Sequence, residues 1–421
     1  MSGLALAAVV LTAAAMTGQP PPSTVARSPL TYTPGAELTV SLLTFETGGL
    51  VWERFGHNGI WIHDAAAGTD RVYDYGRFSF TAPHFIYNFA RGKMWYSMGE
   101  TKDLSGLIEL YRREGRKIWA QELDFTPAER AGLRDFLVWN LRPENRGYAY
   151  DYYRDNCSTR IRDALDQALG GPIRRYGARP SGMTWREETR RLDEHDVLLY
   201  TGLMIGLGRP VDREMTRWEQ MFLPIRLREH LDSVTVAGAD GVARPLVKSE
   251  RVLAEGGRWP VPARPRDWTL GYLTVGGLVG GLLALLGRAG GAGPGRALFL
   301  ALGTLWALLA GLLGLVLTWL WGVSTHVAAH ANENLLLFNL LALALAAVFP
   351  AAVRGRPWAL MPARRLALAV AGLAALGLLL KLVPGFHQSN RELIALALPA
   401  HAGVWLGLRS PAPSSGPRSP R

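Results

Sequence analysis

The stretch YDYYRDNCSTRIRD (150–163) sets the reading of the chain around it. Asp155 or Asn156 stands where a helix N-cap belongs, because a short polar side chain there accepts an N–H bond that the first turn leaves open. Beyond it Ile161, Ala164, Leu165, Ala168 and Leu169 recur at i, i+3, i+4, i+7 and i+8, which predicts an amphipathic helix from Cys157 to Leu169. Gly170, Gly171 and Pro172 end it. Cys157 is placed four residues before Ile161, so it lies on the buried stripe at the start of the helix. A thiol there meets unpaired backbone N–H groups and the positive end of the macrodipole, which favour the thiolate. It is the only cysteine in 421 residues, which excludes a disulfide framework and a Cys-rich zinc site. Taken alone, the residue reads more readily as a small core side chain, since free Cys is often buried.

Upstream, LTVSLL (38–43), GIWIH (59–63), RVYDYG (71–76), KMWYSMG (93–99) and KIWAQELDF (117–125) read as strands. They are rich in aromatic and β-branched residues and separated by Gly and Asp. TPAERAGLRDFLVWNL (126–141) then opens a helix, with Thr126 as N-cap, Pro127 at the first helical position and Glu129 completing a capping box. Pro143 stops it. Residues 185–231 add Arg- and Glu-rich amphipathic helices, and the whole reads as α+β with an antiparallel sheet. A nucleophilic thiol needs a base. His57, in RFGHNGIWIHD (54–64), follows a glycine that lets the backbone turn into a predicted strand, and His63 closes that strand on the same face. If the next strand pairs with it, Asp74 or its neighbour Tyr75 is placed to hold the imidazole. Each residue also has a plainer reading: a turn histidine, a strand end in water, a solvated strand carboxylate.

The last third is far more apolar, although the whole chain has a mean hydropathy of only +0.07. Spans are expected at about 268–287, 297–321, 335–353, 366–383 and 392–408, the fifth interrupted by Pro399 and His401. Nine arginines (Arg288, Arg296, Arg354, Arg356, Arg364, Arg365, Arg409, Arg418, Arg421) gather on one side of these spans, and the opposite loops hold only Arg391, with Lys381 at the margin. The Arg-rich side is therefore expected in the cytoplasm and the globular part outside it. An apolar run at 4–16 fits a signal peptide or N-terminal anchor (1–18) and implies the same orientation. A linker (19–37), an extracytoplasmic domain (38–250), a second linker (251–267), a transmembrane domain (268–408) and a disordered cytoplasmic tail (409–421) complete the expected organisation.

The net charge of +11 is carried almost wholly by arginine, much of it in loops between apolar runs, which argues against a nucleic-acid partner. His326 and His330 in STHVAAHANEN (324–334) are spaced as metal ligands on a helix, but without the order of a zinc hydrolase motif. A polar loop that docks the globular domain or meets lipid head groups is the favoured reading, and no metal or other cofactor is expected. The run REETRRLDEHD (186–196) reads as a solvated face. Gly276, Gly277, Gly280 and Gly281 suit close helix packing. Trp259, Trp268, Trp319 and Trp321 suit an interfacial belt.

The segments RFGHNGIWI, RVYDYGRFSF and ENRGYAYDYYRDNCSTRIRD, followed by GRPVDREMTRWEQMFLPIRL and STHVAAHANENLLLFN, resemble in order the DUF4105 domain and its continuation in the Lnb-type bacterial lipoprotein N-acyltransferases. The resemblance covers roughly residues 38–350. It implies a papain-like (NlpC/P60-like) fold in circularly permuted order, as in lecithin–retinol acyltransferase and its relatives, followed by an all-α membrane bundle of about five helices. By that analogy Cys157 is the nucleophile, His57 the base and Asp74 the third group, although the insert DAAAGTD (64–70) leaves the His–Asp spacing open. The implied activity moves a fatty acyl chain from a membrane phospholipid, through a thioester on Cys157, to the N-terminal amine of a diacylglyceryl lipoprotein. It would act at the bacterial inner membrane with the globular domain in the periplasm. A cell-wall cysteine peptidase or amidase using the same dyad, and a non-enzymatic membrane scaffold, are the competing readings.

Overall fold

The structure is a computed structural model that describes residues 33–238, 241–257, 261–288 and 293–409. The expected leader (1–18), most of the first linker, Trp259 and the tail beyond Arg409 lie outside the described residues.

The first five strands follow the expected runs: β1 (Leu38–Phe45), β2 (His57–Asp64), β3 (Thr69–Arg77), β4 (Trp95–Thr101) and β5 (Ile118–Leu123). Helix α1 (Phe85–Ala90) sits between β3 and β4, α2 (Leu104–Arg113) between β4 and β5, and α3 (Pro127–Asn140) after β5. The predicted capping box of α3 is present: Thr126 Oγ1 accepts from Glu129 N–H, and Glu129 accepts from Thr126 N–H at 2.7 Å. A short β6 (Gly147–Ala149) leads to α4 (Cys157–Ala168) and α5 (Pro172–Gly177). The ribbon β7 (Pro180–Thr184) with β8 (Glu214–Thr216) frames α6 (Trp185–Asp193) and α7 (Val197–Gly206). Then come α8 (Arg217–Gln220), α9 (Pro224–Leu231), the ribbon β9 (Thr235–Ala237) with β10 (Ala243–Pro245), and β11 (Val247–Ala254).

Seven strands form one antiparallel sheet in the order β11-β5-β1-β2-β3-β4-β6. Strand β1 lies inside it and is buried on both faces, as its near-continuous apolar run requires. Leu38, Val40 and Leu42 point to a core shared with Leu133 and Leu137 of α3 and Ile161 and Leu165 of α4. Leu43 and Phe45 point to the opposite face, where Leu104, Leu107 and Ile108 of α2 pack. The period-2 alternation of the strand thus sorts its side chains between two helical layers. The sheet runs past the expected end of the domain at 250. Residues 251–254 belong to β11, the edge strand, because Arg251 and Val252 pair with Ala120 and Trp119 of its neighbour β5.

The C-terminal region is helical: α10 (Thr269–Arg288), α11 (Pro294–Gly322), α12 (Leu340–Val353), α13 (Pro357–Leu379) and α14 (Arg391–Arg409). Among the described residues four stretches are long and apolar enough to cross a membrane: 269–288, 294–322, 333–353 and 357–382. The fifth expected span is a helix, but Arg391, Glu392, Pro399 and His401 leave it less apolar. Helix α13 starts at Pro357, nine residues before the expected 366. Proline is at home in a first turn, and Arg364, expected in a loop, lies within the helix and donates Nε to Leu408 O at the end of α14. Of the four glycines in α10, Gly276 and Gly280 face α14; a Cβ on Gly280 would sit 2.1 Å from Pro399 O. Gly277 and Gly281 touch nothing, since they are on the other side of the helix.

The two regions share one apolar cluster, which includes Tyr200 and Phe222 on one side and Leu317 and Phe338 on the other, and polar groups add to it. Asn332 donates to Ile205 O and Gly206 O at 2.9 Å, Asn334 donates to Met204 O at 3.0 Å, and Gly208 N–H donates to Ala328 O at 2.8 Å, while His330 Nε2, 3.0 Å from Ser324 O, braces the loop internally. The loop at 324–334 is therefore a dock. The arginines of the run at 186–196 are buried, contrary to the solvated face expected for it, and its end, at 194–196, reaches solvent. Arg186 pairs with Asp212 at 2.7 Å, Arg191 with Glu188 at 2.6 Å, and Arg190 reaches Glu392 of α14 at 3.0 Å. Each guanidinium is matched by a carboxylate, two of them from remote elements, and that pairing makes burial of the charges tolerable.

Candidate active site

Asn156 caps α4, accepting from Ser158 N–H and Thr159 N–H at 2.9 Å each. Its amide is fixed in turn by Tyr152 O and Phe222 O, so the turn before the helix is held from two sides. Asp155 is occupied elsewhere, in a two-point pair with Arg160. This cap sets Cys157 at the first helical position, half-buried against the main core. Strand β3 passes directly below it. Gly76, at φ +94°, is so close that a Cβ there would lie 3.5 Å from the Cys157 Cβ.

His57 opens β2. Gly56 precedes it at φ +75°, where a Cβ would stand 2.7 Å from Phe45 O, so this turn needs glycine. The insert at 64–70 forms the tight turn between β2 and β3, with Asp64 accepting from Ala66 and Ala67 N–H. That turn sets a register in which Asp74 pairs with Gly59. Across the pair His57 Nε2 lies 3.3 Å from Asp74 Oδ2. Tyr75, the other candidate, points to the opposite face and donates to Asn140 at 2.6 Å. His63 is on the same strand as His57 but pairs with Asp70 near the solvent-exposed end. The structure thus brings Cys157, His57 and Asp74 together and leaves His63 out.

Electrostatics tie the three side chains into one unit. Burial disfavours a charged imidazole at His57, but the Cys157 charge, then hydrogen bonds to Asp74 and Cys157, outweigh it and push His57 up to about 10. With Nε2 on Asp74, Nδ1 is the nitrogen left for the thiol. Burial also works against the Asp74 carboxylate, but His57 and Arg77 hold it below its ordinary range. Arg77 Nε donates to Asp74 Oδ1 at 2.6 Å, and its other nitrogen reaches Thr101 at 2.9 Å.

Sequence reasoning missed Arg77 and what surrounds it. A bulge between β3 and β4 turns Arg77 back onto Asp74, and Gly99 makes room, since a Cβ there would lie 2.0 Å from Arg77 Nε. Glycine inside a predicted strand is the one signal that pointed to such a close approach. Tyr150 lines the other side of the thiol: its ring and Cys157 both border Gly76, and it stacks on Tyr96 at 4.2 Å. Burial, then the neighbouring Cys157 charge, raise Tyr150 well above its ordinary value and keep it a neutral phenol. Tyr152, five residues before the thiol, reaches His326 of the docking loop at 3.4 Å.

The geometry is a thiol, an imidazole and a carboxylate in series, in a domain docked on apolar helices. Two family profiles match this chain: the Lnb N-terminal periplasmic domain over residues 29–190 and the Lnb transmembrane domain over 295–380. The chain is an Lnb-family protein. It is accordingly a membrane protein with a periplasmic domain, and the first match contains Cys157, His57 and Asp74. No curated protein and no solved structure matches it.

Proposed function

We propose that this Lnb-family protein is an acyltransferase that carries a fatty acyl chain from a phospholipid, on Cys157, to the N-terminal amine of a diacylglyceryl lipoprotein. The domain is read as a permuted papain-like fold, with α14 as the fifth span, in the bacterial inner membrane. The observation that supports the chemistry most is the Cys157–His57–Asp74 series, in which His57 is biased strongly toward holding a proton. The Cys157 sulfur attacks the ester carbonyl, the carbon–sulfur bond forms, and the carbon–oxygen bond breaks. His57 gives its proton to the departing lysophospholipid oxygen. The lipoprotein amine then attacks the thioester; the carbon–nitrogen bond forms, the carbon–sulfur bond breaks, and His57 takes the amine proton. The Cys157 backbone N–H at the helix start is assigned to the oxyanion of both steps. Asp74 orients the imidazole, and Arg77 holds Asp74.

The test uses purified full-length protein in phospholipid nanodiscs with a diacylated lipopeptide, followed by mass spectrometry. Triacylated lipopeptide and lysophospholipid are expected in equal amounts. Cys157→Ser abolishes both, and His57→Ala lowers the rate by ~10²–10⁴-fold. A hydroxylamine-sensitive acyl chain on Cys157 is expected when the acceptor is withheld. Transfer by Cys157→Ala would exclude the thioester route, and cleavage of muropeptides without lipid products would favour a cell-wall hydrolase.

A further inference from the structure

Helix α1 has six residues and none of them is buried. Ile86, Tyr87 and Phe89 are 74%, 55% and 47% exposed. So short a helix does not persist in water on its own hydrogen bonds, and such an apolar surface calls for a cover. The apolar surface continues beyond the helix. Phe80 contacts Phe85 at 5.2 Å, and exposed Trp52, from the β1–β2 connection, meets Phe80 edge-on at 5.3 Å.

The position of α1 is fixed by the outer end of α11. Trp319 Nε1 donates to Ala90 O, Thr325 N–H donates to Arg91 O at 2.9 Å, and His326 Nε2 lies 2.7 Å from Phe89 O. Gly92 allows this approach, since a Cβ there would be 2.6 Å from Thr325 Oγ1. Trp319 and Trp321, both exposed, mark the level at which this span leaves the hydrocarbon, where tryptophan collects. The apolar face of α1 is therefore continuous with the lipid-facing surface of a membrane span, and exposed Lys93 follows it at head-group level.

We infer that α1, together with Trp52 and Phe80, is embedded in the outer leaflet of the phospholipid bilayer as an interfacial anchor of the periplasmic domain. Its inner side continues toward the thiol as a row of rings. Phe85 stacks on Phe78, Phe78 on Tyr96, and Tyr96 on Tyr150, which borders Gly76 together with Cys157. This row gives an acyl chain an apolar route from leaflet to sulfur; that role rests on the acyl-transfer reading, whereas the depth of α1 does not.

The experiment therefore needs no activity. In full-length Cys157→Ala protein, which then has no cysteine, Ile86→Cys is labelled with a nitroxide in nanodiscs of phosphatidylethanolamine and phosphatidylglycerol. Tyr87→Cys serves as a second site, and Ala66→Cys in the β2–β3 turn and Leu312→Cys in α11 are the aqueous and hydrocarbon references. Collision with oxygen at Ile86 and Tyr87 is expected near the α11 value, and collision with a water-soluble nickel chelate at least severalfold below the Ala66 value. Nickel access equal to that of Ala66 would overturn the inference. So would low access to both reagents, which would mean that protein rather than lipid covers the helix.

Discussion

His57 is where residue-scale physics is most open to measurement. Its proton affinity is raised in the folded protein by the Cys157 charge and by Asp74, against the opposing effect of burial. A group shifted upward contributes its full stabilisation below its ordinary value of 6.5 and loses it as the pH rises through about 10. The thermal midpoint of the wild type is thus expected to exceed that of His57→Gln at neutral pH, and the gap to close as the pH passes about 10. In ¹⁵N-histidine spectra of Cys157→Ala the imidazole titrates at lower pH than in the wild type, because the largest favourable influence is gone. An unchanged titration would mean that thiol and imidazole do not interact. The sequence made His57, Cys157 and Asp74 legible as candidates, because each stands at a strand or helix position that backbone rules predict. Arg77 was not legible, because a bulge and the missing side chain of Gly99 bring it onto Asp74, and neither is a local pattern.

At the scale of elements, α4 depends on its cap. Asn156 satisfies two N–H groups of the first turn and two carbonyls from separate segments. Asn156→Ala removes the cap and leaves Tyr152 O and Phe222 O without that partner, a loss of about 2–3 kcal/mol. Thermal unfolding in detergent reads the stability, and Cys157 alkylation kinetics read the displaced thiol. A variant with the wild-type midpoint and rate would show that α4 is placed by its apolar face alone. The cap itself was readable, since Asp155–Asn156 precede the apolar stripe. Which of the two serves was not, because Arg160 draws Asp155 away. The same limit governs α6: a helix dense in Arg and Glu looks solvated until Asp212 and Glu392 arrive from remote elements.

For the whole molecule, the decisive contacts lie between helices and between regions. Helices α10 and α14 touch through Gly276, Gly280, Gly403 and Gly407. Gly280→Val places carbon where Pro399 O now sits, and is expected to destabilise the protein by about 1–3 kcal/mol. Gly281→Val, one residue on and facing open space, leaves the midpoint unchanged in the same melt. Equal effects of the two would mean that α10 and α14 do not pack as described. The periplasmic domain is joined to this bundle by Asn332, His326 and Glu392, which hydrogen-bond across the boundary.

Local spacing was enough to determine five of the seven strands of the sheet, the start of α4, four of the apolar spans and the side on which arginine collects. Those features follow from repeats of two and 3.6 residues and from the hydrocarbon thickness, all of which are written along the chain. Tertiary structure decided that Asp74 rather than Tyr75 meets His57, that the arginines of α6 are buried, and that α1 is held against the end of α11. Each of these depends on a group distant in sequence coming within a few ångströms, and the register and packing that bring it there are set by the assembled sheet and bundle.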